Sequence, residues 1–261
     1  MNPITSASNP LIKQLRKLTG SAKARREAAQ YIAEGTHLVE SYLTTGATPL
    51  RYVYAESATH NQEVAALIER LRELAIEETA VSDTLFESLA SIHANVGILI
   101  IFQPITTSLQ ASQTTVVLED IQDPGNLGTI LRTAAATGIT NIVLSSGSAS
   151  PWSPKALRAG MGAQFSLHIQ ENVNLKEFIK MSTIPTLVTT LSDTSENLYD
   201  LDLARPVVWI LGNEGQGVSQ PLTNLADTQV HIPQANTAVE SLNVAAATSV
   251  CLYEQYRQLH R

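Results

Sequence analysis

Apolar positions along the chain recur with helical and strand periods in alternation. Leu11, Ile12, Leu15 and Leu18 follow Asn9-Pro10 and precede Gly20, which predicts a capped amphipathic helix. Tyr31 to Gly35 reads as a strand, and His37 to Leu43 as a helix ending at Gly46. Arg51 to Ala55 is a second strand. Val64, Leu67, Ile68 and Leu71 then stripe one side of a helix running to Leu74. Ala80-Val81 and Gly97 to Phe102 are further strands, with a short helix near Thr84 to Leu89 between them. This alternation predicts a small α/β domain over residues 1–103.

A Pro-, Ser-, Thr- and Gln-rich stretch, 104–114, reads as a linker. A second α/β alternation spans 115–261. It opens with the buried-strand run Thr115 to Leu118 and continues through a helix at Ile130–Ala136, a strand at Ile142–Leu144 and a helix at Pro154–Met161. A helix at Leu175–Ile179, strands at Thr186–Thr190 and Val207–Leu211, and a closing strand and helix complete it. The closing strand (Val230, His231, Ile232) is stopped by Pro233, which cannot donate to a ladder. Glu240-Ser241-Leu242-Asn243 then opens a long helix with small residues at Ala245, Ala246 and Ala247. Ser241 and Asn243 can cap its free N–H groups.

Length and composition narrow the class. At 261 residues, two domains can each bury a core. The net charge of −7 argues against a protein that coats nucleic acid indiscriminately, yet the charge is uneven. Lys13, Arg16, Lys17, Lys23, Arg25, Arg26 and Arg51 face only Glu27, Glu34 and Glu40 in the first fifty-one residues. A solvated helix face and a phosphate-contacting surface both account for that basic start. The single cysteine, Cys251, excludes an intrachain disulfide and points to the cytoplasm. Gly97–Phe102 is too short to span a bilayer, and the N-terminal residues show no secretory apolar region.

In open α/β sheets, ligands sit beyond the carboxyl ends of the strands. Three chemistry-bearing stretches fall there. In Glu119 to Arg132, Pro124-Gly125 forces a turn and Gly128 allows close backbone approach, with Arg132 expected in the first turn of the helix that follows. In Leu211-Gly212-Asn213-Glu214-Gly215-Gln216-Gly217, three glycines flank one carboxylate, as backbone fitted around a flat ligand requires. Glu214 could accept hydrogen bonds from a ribose or orient a neighbouring amide. The third stretch is Glu240 to Asn243. No Lys-Ser/Thr follows the glycines, no Gly-x-Ser-x-Gly elbow exists and no His/Cys metal cluster is visible.

The motifs N-L-G-T-I-L-R-T-A, S-P-K-A-L-R-A-G-M-G-A, L-G-N-E-G-Q-G and I-P-Q…E-S-L-N-V-A-A-A, in this order, resemble the TrmH/SpoU family of RNA 2′-O-ribose methyltransferases in the SPOUT superfamily. The resemblance spans residues 115–261. More loosely, I-T-S-A-S-N-P-L-I-K and Y-I-A-E-G-T-H-L-V-E are similar to that family's N-terminal RNA-binding domain. One departure is His93-Ala94-Asn95-Val96-Gly97, where relatives more often carry Pro or Gln before the glycine.

The resemblance implies a parallel-sheet SPOUT domain closed by a C-terminal trefoil knot, bound S-adenosyl-L-methionine, and a homodimer whose interface lies beside the active site. Thr190, Leu191, Leu211, Gly212, Gly217, Ile232, Ser241 and Leu242 match its cofactor contacts. Asn126, Arg132, Glu214, Ser241 and Asn243 match its catalytic positions, with Asn126 and Arg132 near the target ribose. Lys13, Arg16, Arg25, Arg26, Arg132 and Arg158 are the RNA-contact candidates, and no metal is implied. The expected substrate is 23S rRNA. Alternatives are a tRNA methyltransferase, a catalytically silent RNA-binding assembly factor, or an ATP- or NAD-binding enzyme that uses the Gly-rich loops alone.

Overall fold

The Asn9 side chain accepts the N–H of Leu11 at 2.9 Å, with Pro10 at the first helical position. Helix α1 (Pro10–Gly20) then buries Ile12, Leu15 and Leu18. The structure, a computed structural model, describes residues 2–89, 96–105, 107–192, 194–235 and 241–260. The departure from the family pattern at His93-Ala94-Asn95, and Glu240 of the stretch Glu240 to Asn243, lie outside these residues. The chain divides into two units, Met1–Ile105 with Trp152–Phe165, and Thr106–Pro151 with Ser166–Arg261.

In the first unit, α2 (Ala22–Ala28), β1 (Tyr31–Glu34), α3 (Thr36–Leu43), β2 (Arg51–Ala55), α4 (Gln62–Glu73), β3 (Glu77–Val81), α5 (Asp83–Glu87) and β4 (Ile98–Phe102) follow α1. The sheet order is β1-β4-β2-β3, with only β2 and β3 parallel. Inner strand β4 is buried along its whole length, so its sequence is an unbroken apolar run rather than an alternation.

The second unit holds β5 (Thr115–Leu118), α6 (Pro124–Ala136) and β6 (Asn141–Leu144). Helix α7 (Pro154–Gly160) comes next in the chain but belongs to the first unit. The reason is aromatic: Trp152 and Phe165, on either side of α7, pack with Phe102, and Phe165 also meets Tyr42 edge-on at 5.2 Å. The second unit resumes with β7 (His168–Gln170), α8 (Leu175–Lys180), β8 (Thr186–Thr189), β9 (Glu196–Asn197), β10 (Val208–Leu211), α9 (Gln220–Thr223), β11 (Thr228–His231) and α10 (Val244–Leu259).

These strands form one parallel sheet, β7-β6-β5-β10-β8-β11-β9. Residues alternate between its faces. Val116, Leu118, Trp209 and Leu211 join Leu127, Ile130, Leu131, Cys251 and Leu252 from α6 and α10 on one side. Val117, Val143, Val188, Val208 and Ile210 meet α8 and α9 residues on the other. A buried polar lock ties α10 to the sheet. Trp209 Nε1 donates to Gln255 Oε1 at 2.8 Å, while Gln255 Nε2 donates to Thr114 Oγ1 and the Arg205 carbonyl.

Two expectations need correction. Helix α6 begins at Pro124, not near Ile130, because Asp123 caps it by accepting the N–H groups of Gly125 and Asn126. Pro124 therefore sits at the first helical position, where its missing N–H costs nothing. Arg132 is consequently deep in the helix and not in its first turn. The short edge strands β7 and β9 carry His, Gln, Glu and Asn and are at most partly buried, so no apolar period announces them.

Candidate active site

The carboxyl ends of β8, β10 and β11 and the start of α10 enclose a cleft of about 360 Å³. That volume falls in the range of small-molecule sites. Thr190 and Leu191 enter it after β8, Leu211, Gly212 and Gly217 from β10 and its loop, Ile232 after β11, and Ser241 and Leu242 ahead of α10. The fold thus gathers into one cleft the eight residues matched to cofactor contacts, though they span more than fifty positions of sequence.

The loop after β10 is shaped by its own side chains. Asn213 Oδ1 accepts the N–H groups of Gly215 at 2.9 Å and Gln216 at 3.1 Å, and Gly217 N–H donates to the Asn213 carbonyl at 2.9 Å. Gly217 takes φ +68°, a left-handed value that glycine adopts freely. A Cβ on Gly212 would overlap the Gly217 carbonyl, so a side chain there would force the loop open.

Beside the cleft, three side chains form a relay, of which Glu214 lines the cleft and Asn126 and Asn243 do not. The Glu214 carboxylate accepts the N–H groups of Gln122 at 3.3 Å and Asp123 at 3.2 Å, and Asn126 Nδ2 donates to it at 3.1 Å. Asn126 Oδ1 in turn accepts Asn243 Nδ2 at 3.1 Å. Asn243 Oδ1 caps α10, accepting Ala245 N–H at 2.9 Å and Ala246 N–H at 3.4 Å. The network fixes which end of each amide is donor and which acceptor. For Glu214, partial burial favours the neutral acid, but the Asn126 amide and the backbone N–H groups together outweigh it and hold the carboxyl below its ordinary range. The Asn126 contact is the one expected of a carboxylate that orients a neighbouring amide.

Ser241 lines the cleft and is exposed. Arg132 is not part of the cleft lining. It follows Asn126 by six helical positions, roughly 9 Å along the axis and on a different face. Its guanidinium is exposed and makes no hydrogen bond among the described residues.

The basic candidates divide. Lys13, Arg16 and Arg26 are exposed, and Arg16 reaches Ser88 Oγ at 3.2 Å. Arg25 is the exception. It is buried, and its Nη1 donates to the carbonyls of Leu18 at 2.7 Å and Thr19 at 3.1 Å. It satisfies the carbonyl end of α1 and presents no charge to a ligand. Burial also lowers its pKa from the usual guanidinium value. Arg158 on α7 is half-buried.

Two residues that no sequence pattern singled out, Asp123 and Asn213, shape the two loops. For Asp123 the Asp-Pro pair is the available signal, since Asp at a cap followed by Pro marks a helix start. For Asn213 the signal is Asn in a Gly-rich turn, whose side chain readily accepts the N–H two residues on.

The cleft offers strand-end backbone, hydroxyls, apolar faces at Leu191, Ile232 and Leu242, and one carboxylate, Glu214. That donor set fits a nucleoside joined to a cationic sulfonium. Among the described residues, no group of His, Cys, Asp and Glu could hold a metal ion, and no helix is long and apolar enough to cross a membrane.

Comparison with known proteins agrees with this chemistry. The model of the SpoU rRNA Methylase family matches residues 113–253, and that of the MRM3-like substrate binding domain matches residues 9–99. An uncharacterized tRNA/rRNA methyltransferase of Synechocystis is 38% identical over 260 residues, which covers 98% of this chain and 93% of the relative. The 23S rRNA (guanosine(2553)-2′-O)-methyltransferase RlmP of Bacillus subtilis is 27% identical, covering 97% and 98%. The crystal structure of an AdoMet-bound rRNA methyltransferase from Sinorhizobium meliloti superposes with a TM-score of 0.87 at 31% identity, covering 99% and 98%. Fold and cleft together define an RNA methyltransferase that uses S-adenosylmethionine. The chain belongs to the SpoU rRNA methylase family.

Proposed function

We propose that this chain methylates a ribose 2′-hydroxyl of 23S rRNA. The observation that carries the reading is the Glu214–Asn126–Asn243 relay, which ties a polarised amide to Glu214, a residue lining a nucleoside-sized cleft. RlmP, matched along nearly the whole chain, is a 23S rRNA 2′-O-methyltransferase by name.

S-adenosylmethionine, when bound, supplies a methyl group already activated on a sulfonium. The chain's task is then to align the acceptor and lower the cost of the developing alkoxide. Thr190, Leu191, Leu211, Gly212, Gly217, Ile232, Ser241 and Leu242 hold the cofactor in this reading. Asn126 faces the target ribose, positioned by Glu214 and Asn243. Arg132 binds RNA phosphate and stabilises negative charge; a guanidinium does not deprotonate and cannot be the base. Water or the RNA phosphate takes the proton.

Lys13, Arg16, Arg26 and Arg158 contact RNA phosphates, whereas Arg25 is withdrawn from that set. The same reading includes a C-terminal trefoil knot, a cytoplasmic location and a homodimer formed through the second unit. Tyr253, Tyr256 and Leu259 support the dimer, because they leave an apolar stripe exposed along α10 that a second copy would cover.

The test is mapping of 2′-O-methyl sites in total RNA from a deletion strain against its parent. Loss of one 23S rRNA site is expected. Loss of a tRNA site instead overturns the assigned substrate, and an unchanged map overturns the activity.

A further inference from the structure

The loop between β5 and α6 leads into the first turn of α6, which carries Asn126, and it is gripped from two sides. On one side, the β10 loop holds it: Asn213 Nδ2 donates to the Asp120 carbonyl at 2.9 Å, and Glu214 accepts the next N–H groups, of Gln122 and Asp123. On the other side stands the serine loop after β6. Asp120 N–H donates to Ser145 Oγ at 2.8 Å, and the Ser145 hydroxyl donates to Asp120 Oδ1 at 2.6 Å. Ile121 N–H donates to Ser148 Oγ at 3.2 Å, and Ala149 N–H to the Ile121 carbonyl at 2.7 Å.

Asp120 itself sits at φ +53°, a left-handed conformation uncommon outside glycine, asparagine and aspartate. Gly147 leaves room for its carboxylate: a Cβ there would overlap Asp120 Oδ1. All three nearest atoms to that Cβ belong to Asp120, and Gly147 is not itself in the left-handed region. We infer that Asp120, held by Ser145, is a positioning residue for the methyl transfer, setting the place of the loop that leads into the helical turn bearing Asn126.

The inference rests on the reading of Asn126 as the amide facing the target ribose. It is tested by turnover with labelled S-adenosylmethionine on total rRNA from the deletion strain, alongside calorimetry for cofactor binding. Ser145→Ala removes the grip without touching the strained residue, and Gly147→Ala displaces the carboxylate from outside. Each is expected to lower kcat about tenfold, since misplacement of a reacting group by roughly 1 Å can cost up to about a hundredfold. The cofactor Kd should stay within about twofold of the parent's. Asp120→Asn keeps an acceptor and tolerates the left-handed backbone, so it should retain turnover within about threefold.

The Ser145→Ala/Asn126→Ala double variant should be no slower than Asn126→Ala alone, because both changes act through the same amide. Wild-type kcat in Ser145→Ala and Gly147→Ala, or losses that multiply with that of Asn126→Ala, overturn the inference and leave the serine loop as scaffold only. Wild-type turnover by Asn126→Ala would instead overturn the reading of Asn126, and the inference with it.

Discussion

Asn243 performs two separable tasks, and substitutions can divide them. Its Oδ1 caps α10 through Ala245 and Ala246, while its Nδ2 holds Asn126. Asn243→Ala removes both. Loss of a cap costs about 1 kcal/mol, and loss of an exposed neutral hydrogen bond adds roughly 0.5–1 kcal/mol. In a unit of this size, about 2 kcal/mol corresponds to a fall in Tm of roughly 4–8 °C. Asn243→Ser keeps a good capping oxygen but has no donor that reaches Asn126, so its stability should lie within about 0.5 kcal/mol of the parent's. Its activity should still fall. The cause is not an amide flip: the remaining charge-assisted bond to Glu214, at about 1.5–3 kcal/mol, still favours the native orientation at least tenfold. What disappears is the lateral restraint on where Asn126 sits, and the expected loss in kcat is about tenfold or more. The assays are thermal melting, calorimetric cofactor binding and methyl incorporation. Should Asn243→Ser prove both stable and fully active, the relay has no catalytic role and Asn243 only caps the helix.

Arg132→Ala and Asn126→Ala should keep cofactor binding by calorimetry and lose methylation by about a hundredfold or more, the scale of an electrostatic stabiliser; either variant turning over normally refutes the assigned role. Lys13→Ala and Arg16→Ala should each flatten the dependence of log RNA affinity on log salt by nearly one unit, the slope carried by a single neutralised phosphate. Arg25→Ala should instead leave that slope unchanged and lower Tm, because its guanidinium satisfies α1 carbonyls; a flattened slope in Arg25→Ala would contradict its burial. Glu214 is held below its unfolded pKa, so its contribution to stability is complete above the ordinary carboxylate range, about pH 4.3, and fades as pH falls through the lower folded value. The difference in stability between the parent and Glu214→Gln should therefore shrink on acidification, which melting curves between neutral and acid pH would show.

Much of the fold is legible in the chain because burial writes itself into residue type. A strand buried on both faces must be apolar throughout, and Val116-Val117-Leu118 and Ile98 to Phe102 obey that rule. The helix over Val64, Leu67, Ile68 and Leu71 is evident because all four side chains point into the core. The start of α6 is hidden because Pro124-Gly125 also reads as a turn, although Asp-Pro is equally how a helix begins. Edge strands β7 and β9 escape because short runs of polar, incompletely buried residues carry no period.

Sequence alone determined the chemistry on offer: the strand-end loops, the amides at 126 and 243, the carboxylate at 214 and the glycines that let backbone close around a ligand. These are local properties of residue type and spacing. Tertiary structure decided which of them meet. It joined Glu214 to Asn126 and Asn126 to Asn243 across more than eighty residues, set Arg132 apart on another face of α6, and buried Arg25 against carbonyls that no sequence pattern links to it. Hydrogen bonds and desolvation depend on distances through space, and only the packed sheet brings those distances into being.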